Sequence, residues 1–177
     1  MGAVHESITP ALAAWIAAQP VVFVATAPLA GDGRINLSPK GLDLLRVLDE
    51  RTVGYVDLTG SGIETLAHLR ENGRITLMWC AFSGPPRIVR IHGRGEHVPV
   101  DDPRFGGRFP EERGARGLVI VHAERISDSC GYAVPQMELL GPRRRLTEWT
   151  AARTDDQLAD YRTANNRTSI DGLAGLV

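Results

Sequence analysis

The sequence has only two cysteines, Cys80 and Cys130, among 177 residues. Two cysteines are too few for a disulfide framework or for a zinc site with four cysteine ligands. We therefore expect both to be reduced thiols, which is typical of a cytoplasmic protein.

The sequence also lacks an excess of charge and any long apolar run. It contains 20 Lys and Arg against 21 Asp and Glu, a formal net charge of −1. This balance does not indicate a nucleic acid or an anionic membrane as partner. No apolar run approaches the roughly 20 residues of a membrane span, and the N-terminus has no basic signal-peptide region. We expect a cytoplasmic protein without a membrane segment.

Metal-ligand and nucleophile patterns are absent as well. The five histidines are scattered. His92 and His97 are five residues apart in a predicted strand and so face opposite ways, which makes a poor metal pair. There is no G-x-S-x-G motif of the kind that presents a catalytic serine. The sequence predicts no metal site and assigns no catalytic residue.

What the sequence does contain is a series of closely spaced strands between helices. Thr9 and Pro10 are typical of a helix start, and a short helix is predicted at 63–73. The six predicted strands are 21–27, 35–40, 52–58, 74–82, 87–100 and 118–129. The chain becomes helical again from about residue 141. This order favours a mainly β fold with flanking helices, an antiparallel barrel in a single domain over residues 1–177, with an N-terminal helix and a helical C-terminal extension.

The stretch INLSPKG, residues 35–41, has an unusual alternation. Asn36, Ser38 and Lys40 are two residues apart, so in a strand they share one face, while Ile35 and Leu37 take the other. An ammonium with neighbouring hydrogen-bonding groups suits a phosphate. The alternative is the solvent-exposed outer face of an edge strand.

The stretch DLTGSGIET, residues 57–65, is the second informative motif. Ser61 and Glu64 fit a capping box at the start of the 63–73 helix, and Gly60 and Gly62 allow a tight turn. A helix N-terminus with nearby hydroxyl groups can bind an anion. A capped helix without any ligand explains the same residues.

The two motifs together predict one anion cradle. If strands 35–40 and 52–58 pair, the polar face of the first strand lies beside the TGSG turn, residues 59–62. The residues alone leave this cradle and a solvated strand face equally open.

The blocks NLSPKG, VGYVDLTGSGIETLAHLRENGRITLMWCAF and PPRIVRIHGRGEHV resemble the pyridoxamine 5'-phosphate oxidase-like family of flavin-binding split barrels. The similarity covers about residues 8–130. It implies a six-stranded antiparallel split barrel and a homodimer. It also implies flavin mononucleotide (FMN) at the two symmetric subunit junctions.

The resemblance also implies site residues. The FMN phosphate would be held by Lys40, Thr59, Ser61 and Gly62, and the ring or ribityl chain by Asn36, Ser38, Pro39 and Gly41. Met78, Trp79 and Cys80 would wall the ring, Leu58 and Thr65 would flank the loop, and Arg87 and Arg90 would reach the cofactor from the next strand or across the dimer. Core packing is the alternative for Trp79, and a salt-bridged surface is the alternative for the two arginines.

The chain departs from the oxidases of this family near its C-terminus. It has no C-terminal Trp and Arg pair to grip a substrate phosphate, so pyridoxal phosphate synthesis is not expected. The expected function is an FMN-dependent oxidoreductase acting on an unidentified small molecule. The alternatives are a deazaflavin-dependent reductase and a non-catalytic flavin- or haem-binding protein.

Overall fold

The computed structural model, which describes residues 2–176, contains one antiparallel sheet of eight strands. In chain order the elements are β1 (Val4–His5), α1 (Pro10–Ala17), β2 (Val22–Thr26), β3 (Asn36–Lys40), β4 (Leu45–Val47), β5 (Thr52–Leu58), α2 (Glu64–Asn72), β6 (Arg74–Cys80), β7 (Ile88–Val98), β8 (Ala115–Ser129), α3 (Arg145–Ala151) and α4 (Asp155–Asn165). Seven strands follow the order β3-β2-β6-β7-β8-β5-β4, and β1 pairs with β8. The mainly β class with flanking helices is therefore confirmed.

The strand count is higher than the predicted six. Each predicted strand is present, and β1 and β4 are additional. These two strands have only two and three residues, so neither is long enough to show an alternating pattern in the sequence.

The core lies on the inner face of the sheet beneath α1. In β6, Ile75, Leu77 and Trp79 are buried at alternate positions, as expected for a strand with one face inward. In α1, Leu12 and Ile16 are the buried residues, because they lie four apart on one side of the helix. Thr9 caps this helix by accepting a hydrogen bond from the Leu12 amide at 3.2 Å.

A β-bulge between His92 and Gly93 shifts the register of the long pair β7 and β8. A Cβ atom on Gly93 would lie 2.0 Å from the His122 carbonyl oxygen, so only glycine fits the bulge without backbone movement.

We expect Gly93→Ala to lower the free energy of unfolding by about 1–3 kcal/mol, as for other overpacked sites. Urea unfolding measures this change. Gly106→Ala is the control, because a Cβ there meets no atom within 4 Å. Equal unfolding midpoints for the two variants would contradict the prediction.

Strand 35–40 does not pair with strand 52–58, the pairing on which the predicted anion cradle was based. β3 pairs with β2 as an antiparallel hairpin, in register Val24 opposite Ser38. β5 instead lies between β8 and β4. The connections 27–35 and 41–51 have similar lengths, so loop closure does not decide between the two pairings.

The polar face of β3 points inward. Asn36, Ser38 and Lys40 are half-buried, whereas Ile35 is 76% exposed and Leu37 is 64% exposed. The solvent-exposed alternative for the polar face is therefore wrong, and the apolar side chains are the ones that face outward.

The C-terminal extension packs against its own chain. The segment 167–176 after α4 contacts α2, where the Ile170 amide donates to Glu64 Oε1 at 3.1 Å. The Arg34 amide donates to Asp171 Oδ2 at 2.6 Å, which ties the same segment to the loop before β3. Within residues 2–176, no helix combines the length and the apolar character that a membrane crossing needs.

Candidate functional site

A cavity of about 350 Å³ lies between the end of β3, β5 and the end of α1. Lys40, Tyr55, Gly60 and Trp79 all contribute to its wall. The two sequence motifs thus lie together although their strands do not pair. The curvature of the sheet brings β3 and β5 close from opposite halves of the strand order.

The cavity carries one lysine, and it is the only lysine in the chain. Burial lowers the pKa of the Lys40 ammonium, the Asp57 carboxylate opposes this effect, and Arg116 adds to it. The lowered pKa means that the protein only partly compensates the buried charge. Lys40 Nζ lies 6.0 Å from the centre of the Tyr55 ring. An anionic ligand beside Lys40 would stabilise the buried ammonium charge.

The polar side chains of β3 form a chain of hydrogen bonds toward α2. The Asn36 amide nitrogen donates to Thr65 Oγ1 at 3.0 Å and to Thr26 Oγ1 at 3.2 Å. Ser38 Oγ donates to Asn36 Oδ1 at 3.0 Å. Asn36 therefore uses both of its N–H groups inside the protein, while the Ser38 oxygen keeps lone pairs for a ligand.

The TGSG turn is held from below by two side chains. Arg116 donates to the Gly62 carbonyl at 2.9 Å, and Asn166 donates to the Gly60 carbonyl at 2.9 Å. Arg116 also donates to Asn166 Oδ1 at 2.9 Å. Among residues 2–176, the amides of Ser61 and Gly62 have no backbone partner, so the carbonyls of this turn are fixed and its amides are available.

The predicted capping box is wrong. The N-cap of α2 is Ile63, and no side chain caps the helix. The Glu64 carboxylate, which a capping box would use, accepts a hydrogen bond from the Ile170 amide of the C-terminal segment instead. Ser61 is exposed and lies just before the uncapped helix start, where unpaired amides favour an anion.

The resemblance assigns Thr59 to the FMN phosphate, but the hydroxyl of Thr59 is hydrogen-bonded within the protein. Its side chain is fully buried, and its hydroxyl donates to the Gly114 carbonyl at 2.7 Å. The same oxygen accepts from Arg162 Nε at 2.8 Å. The hydroxyl thus anchors the turn to the residue before β8 and to α4, and Ser61 is the hydroxyl of the turn that is exposed.

The remaining predicted residues divide between two faces of the sheet. Trp79 is 1% exposed, belongs to the core and also lines the cavity. Met78 is half-buried on the opposite face, where its Cα partner in β7 is Arg90. Pro39, Gly41 and Leu58 line the cavity, and Cys80 is buried at the end of β6. Other predicted residues that do not line it are Asn36, Ser38, Ser61, Gly62 and Thr65.

Arg87 and Arg90 lie outside the Lys40 cavity. Arg87 donates to Asp128 at 2.8 Å, and its guanidinium lies 5.3 Å from the Trp15 ring centre. Arg90 donates to Ser129 Oγ at 3.1 Å. Neither side chain lines the cavity of its own chain.

Sequence reasoning missed a buried ion pair beneath the site. Asp57 Oδ2 lies 2.8 Å from Arg116 Nε and 3.5 Å from His97 Nε2, and the Asp57 and Arg116 side chains are 5% and 6% exposed. Burial by itself raises the pKa of Asp57, but His97, Arg116 and Lys40 outweigh it and lower the pKa to about 2. A carboxylate inside the apolar strand TVGYVDL was the available sequence signal, since such a charge needs a partner.

Tyr55 is the second residue that sequence reasoning missed. Its hydroxyl is buried near Thr65 and makes no hydrogen bond of normal geometry within residues 2–176. Burial first, and the Asp57 carboxylate next, raise the pKa of this phenol well above its usual range. Tyr55 therefore remains protonated and offers a buried O–H donor at the cavity.

No group of three or more His, Cys, Asp and Glu residues within residues 2–176 is arranged to hold a metal ion.

This arrangement is a curled antiparallel sheet with a half-buried polar strand beside a helix N-terminus. The sequence profile of the pyridoxamine 5'-phosphate oxidase family matches residues 8–130, about two thirds of the chain. A pyridoxamine 5'-phosphate oxidase family protein of Aspergillus flavus, ustO, is 38% identical over 194 residues, covering 97% of this chain and 77% of the relative. The chain belongs to the pyridoxamine 5'-phosphate oxidase family.

Solved structures agree on the fold, and the split-barrel prediction is confirmed. HupZ of Group A Streptococcus has a TM-score of 0.51 at 24% identity, covering 67% of this chain and 91% of HupZ. The FAD-binding protein of Mycobacterium smegmatis has a TM-score of 0.51 at 14% identity, covering 70% of this chain and 96% of that protein.

Proposed function

We propose that this protein binds FMN in the cleft between β3 and the TGSG turn and acts as an oxidoreductase on a small molecule. The observation that carries the proposal is Lys40, the only lysine of the chain, placed in the cavity with its charge only partly compensated. The family assignment and the FAD-binding relative of Mycobacterium smegmatis support a flavin as the ligand.

The residues present fit a flavin phosphate. The cavity of about 350 Å³ lies within the ~300–1,000 Å³ range of ligand pockets. Lys40 offers an ammonium, Ser61 an exposed hydroxyl, and the turn its available amides. The phosphate would bind between Lys40 and the start of α2, where charge and helix dipole act in the same direction.

The remaining groups would orient the ring. Ser38 is fixed by Asn36 with its lone pairs free, so it can accept a hydrogen bond from a ring N–H. Tyr55 holds its proton and can donate to a ring oxygen or nitrogen. Trp79 supplies an apolar wall that excludes water. When bound, the flavin itself supplies two-electron transfer, and the protein supplies binding and orientation.

A second copy of the chain would complete the site. Leu37 of the edge strand β3 and Ile35 just before it are large exposed apolar side chains. A homodimer formed through this face would cover them. Arg90 lies on the same outer face of the sheet, two strands from β2, so in such a dimer it would contact the partner's cofactor and not its own.

The test is a visible absorption spectrum of the purified protein, before and after FMN addition and removal of excess by gel filtration. We expect retained flavin bands at a ratio of one FMN per subunit. Parallel samples with the deazaflavin coenzyme and with haem separate the alternatives. Retention of one of these in place of FMN would overturn the cofactor assignment, and retention of none would overturn the proposed function.

A further inference from the structure

The C-terminal helices add a second groove beside the cofactor cavity. α3 and α4 lie outside residues 8–130, the part of the chain that the family profile matches. With the TGSG turn they line an open groove of about 550 Å³. Its wall includes Trp149 and Tyr161, two of the ten aromatic residues in the chain.

The groove is continuous with the Lys40 cavity. Thr59, Gly60 and Leu146 line both spaces. Leu146, on the first turn of α3, is half-buried at their junction. A molecule in the groove would therefore lie next to a ligand held by Lys40.

The aromatic wall of the groove is held rigidly. The rings of Trp149 and Tyr161 are 4.8 Å apart at an interplanar angle of 73°, the edge-to-face arrangement that aromatic pairs prefer. The Arg153 guanidinium lies 3.8 Å from the Trp149 ring centre and also donates to the Trp149 carbonyl at 2.8 Å. These contacts fix the indole before any ligand arrives, which lowers the entropy cost of binding.

Both helices are anchored to the barrel next to the groove. Arg113 donates to the Thr150 carbonyl of α3 at 3.1 Å, and Arg162 of α4 donates to Thr59 Oγ1 at 2.8 Å. Thr150 is 2% exposed and packs against Gly114. The groove is thus part of the folded structure and keeps its position relative to the TGSG turn.

We propose that the groove binds the planar aromatic ring of the small-molecule substrate and presents that substrate to the flavin. The inference rests on the proposed function and names the substrate class for the same site. Two fixed aromatic side chains and Leu146 favour a flat apolar ring through stacking and burial. The rest of the wall includes the exposed charged side chains Arg145 and Glu148 of α3, which border the aromatic pair.

The test measures the binding of 2-naphthol, followed by its fluorescence anisotropy, to the FMN-loaded and FMN-free full-length protein. We expect Trp149→Leu and Tyr161→Leu each to weaken binding about tenfold, since each removes an aromatic contact. We also expect the saturated analogue decahydro-2-naphthol, followed by competition, to bind about tenfold more weakly than 2-naphthol. Trp15→Leu is the matched control, because Trp15 lies in a different groove.

A second variant guards against misfolding. Leu146→Trp fills the junction of the two spaces without removing any aromatic residue, and it should block 2-naphthol while circular dichroism stays unchanged. In the FMN-loaded protein, 2-naphthol should shift the flavin absorption bands, and Trp149→Leu should abolish this shift.

The outcomes separate the two proposals. In one outcome, the protein retains FMN while wild type and Trp149→Leu bind 2-naphthol equally well. This result would overturn the proposal for the groove and leave the proposed flavin function standing. Binding that depends on Trp149 but leaves the flavin bands unshifted would overturn the link between groove and flavin. Binding that depends on Trp149 in a protein that retains no FMN would support the aromatic groove and overturn the proposed flavin function.

Discussion

Replacing Asp57 by Asn should lower the free energy of unfolding by about 3–5 kcal/mol, the usual cost of removing one partner from a buried ion pair. The substitution leaves the Arg116 guanidinium 6% exposed and without its carboxylate. Urea unfolding monitored by circular dichroism measures the change. Because Arg116 also holds the Gly62 carbonyl, the TGSG turn should lose its support in the same variant.

A double variant tests the physical reason for this loss. Asp57→Leu with Arg116→Met removes both charges, so no unpaired charge stays buried, and it should be more stable than Asp57→Asn. The single variants Asp57→Leu and Arg116→Met should each lose some stability. If the loss in the double variant equals the sum of these two losses, the ion pair is not the cause. Arg125→Ala is the surface control, because Arg125 is an exposed arginine on β8.

The pH dependence of stability gives an independent check on Asp57. Its folded pKa is about 2 against an ordinary 3.8, so the folded state favours the carboxylate. The resulting stabilisation, about 2 kcal/mol, is complete above about pH 5 and is lost progressively as the pH falls through 3.8 and below 2. Asp128 also has a pKa of about 2, so the contribution of Asp57 is the difference between wild type and Asp57→Asn.

Replacing Lys40 by Met should weaken FMN binding by roughly 1.5–3 kcal/mol, the contribution of a hydrogen bond to a charged group. This corresponds to roughly a 10- to 150-fold rise in the dissociation constant. Methionine keeps most of the side-chain volume and removes the ammonium. Quenching of flavin fluorescence on titration gives the dissociation constant.

Two controls connect the effect of Lys40 with the phosphate. Riboflavin lacks the phosphate, so Lys40→Met should leave riboflavin affinity unchanged. Lys40→Arg keeps the charge and should lose less FMN affinity than Lys40→Met. Equal losses for FMN and riboflavin would mean that Lys40 contacts the ring and not the phosphate.

The single lysine also allows its charge to be observed directly. After reductive methylation with ¹³C-formaldehyde, Lys40 is the only side-chain amine that carries the label. In the flavin-free protein its resonance should titrate below 10.5, because burial lowers the pKa of Lys40. Bound FMN phosphate should raise this pKa, since a nearby anion stabilises the ammonium.

The sequence by itself determined the local features of this protein. The alternation of Asn36, Ser38 and Lys40 required one polar face in a strand, because side chains in a strand alternate between its two faces. Hydrophobic patterning and turn residues placed the six longer strands, the first two helices and a helical C-terminus, and the block resemblance identified the family. All of these depend on residues that are near one another in the chain.

Only the tertiary structure decided where that polar face points and what lies around it. Lys40 faces a cavity because the whole sheet curls, and β3 pairs with β2 and not with β5. The partners of the TGSG turn, Arg116 and Asn166, come from positions 54 and 106 residues away in the chain. Such contacts depend on the packing of the complete chain, so no local pattern specifies them. In the same packing, Glu64 accepts a hydrogen bond from the C-terminal segment, and no side chain caps the start of α2.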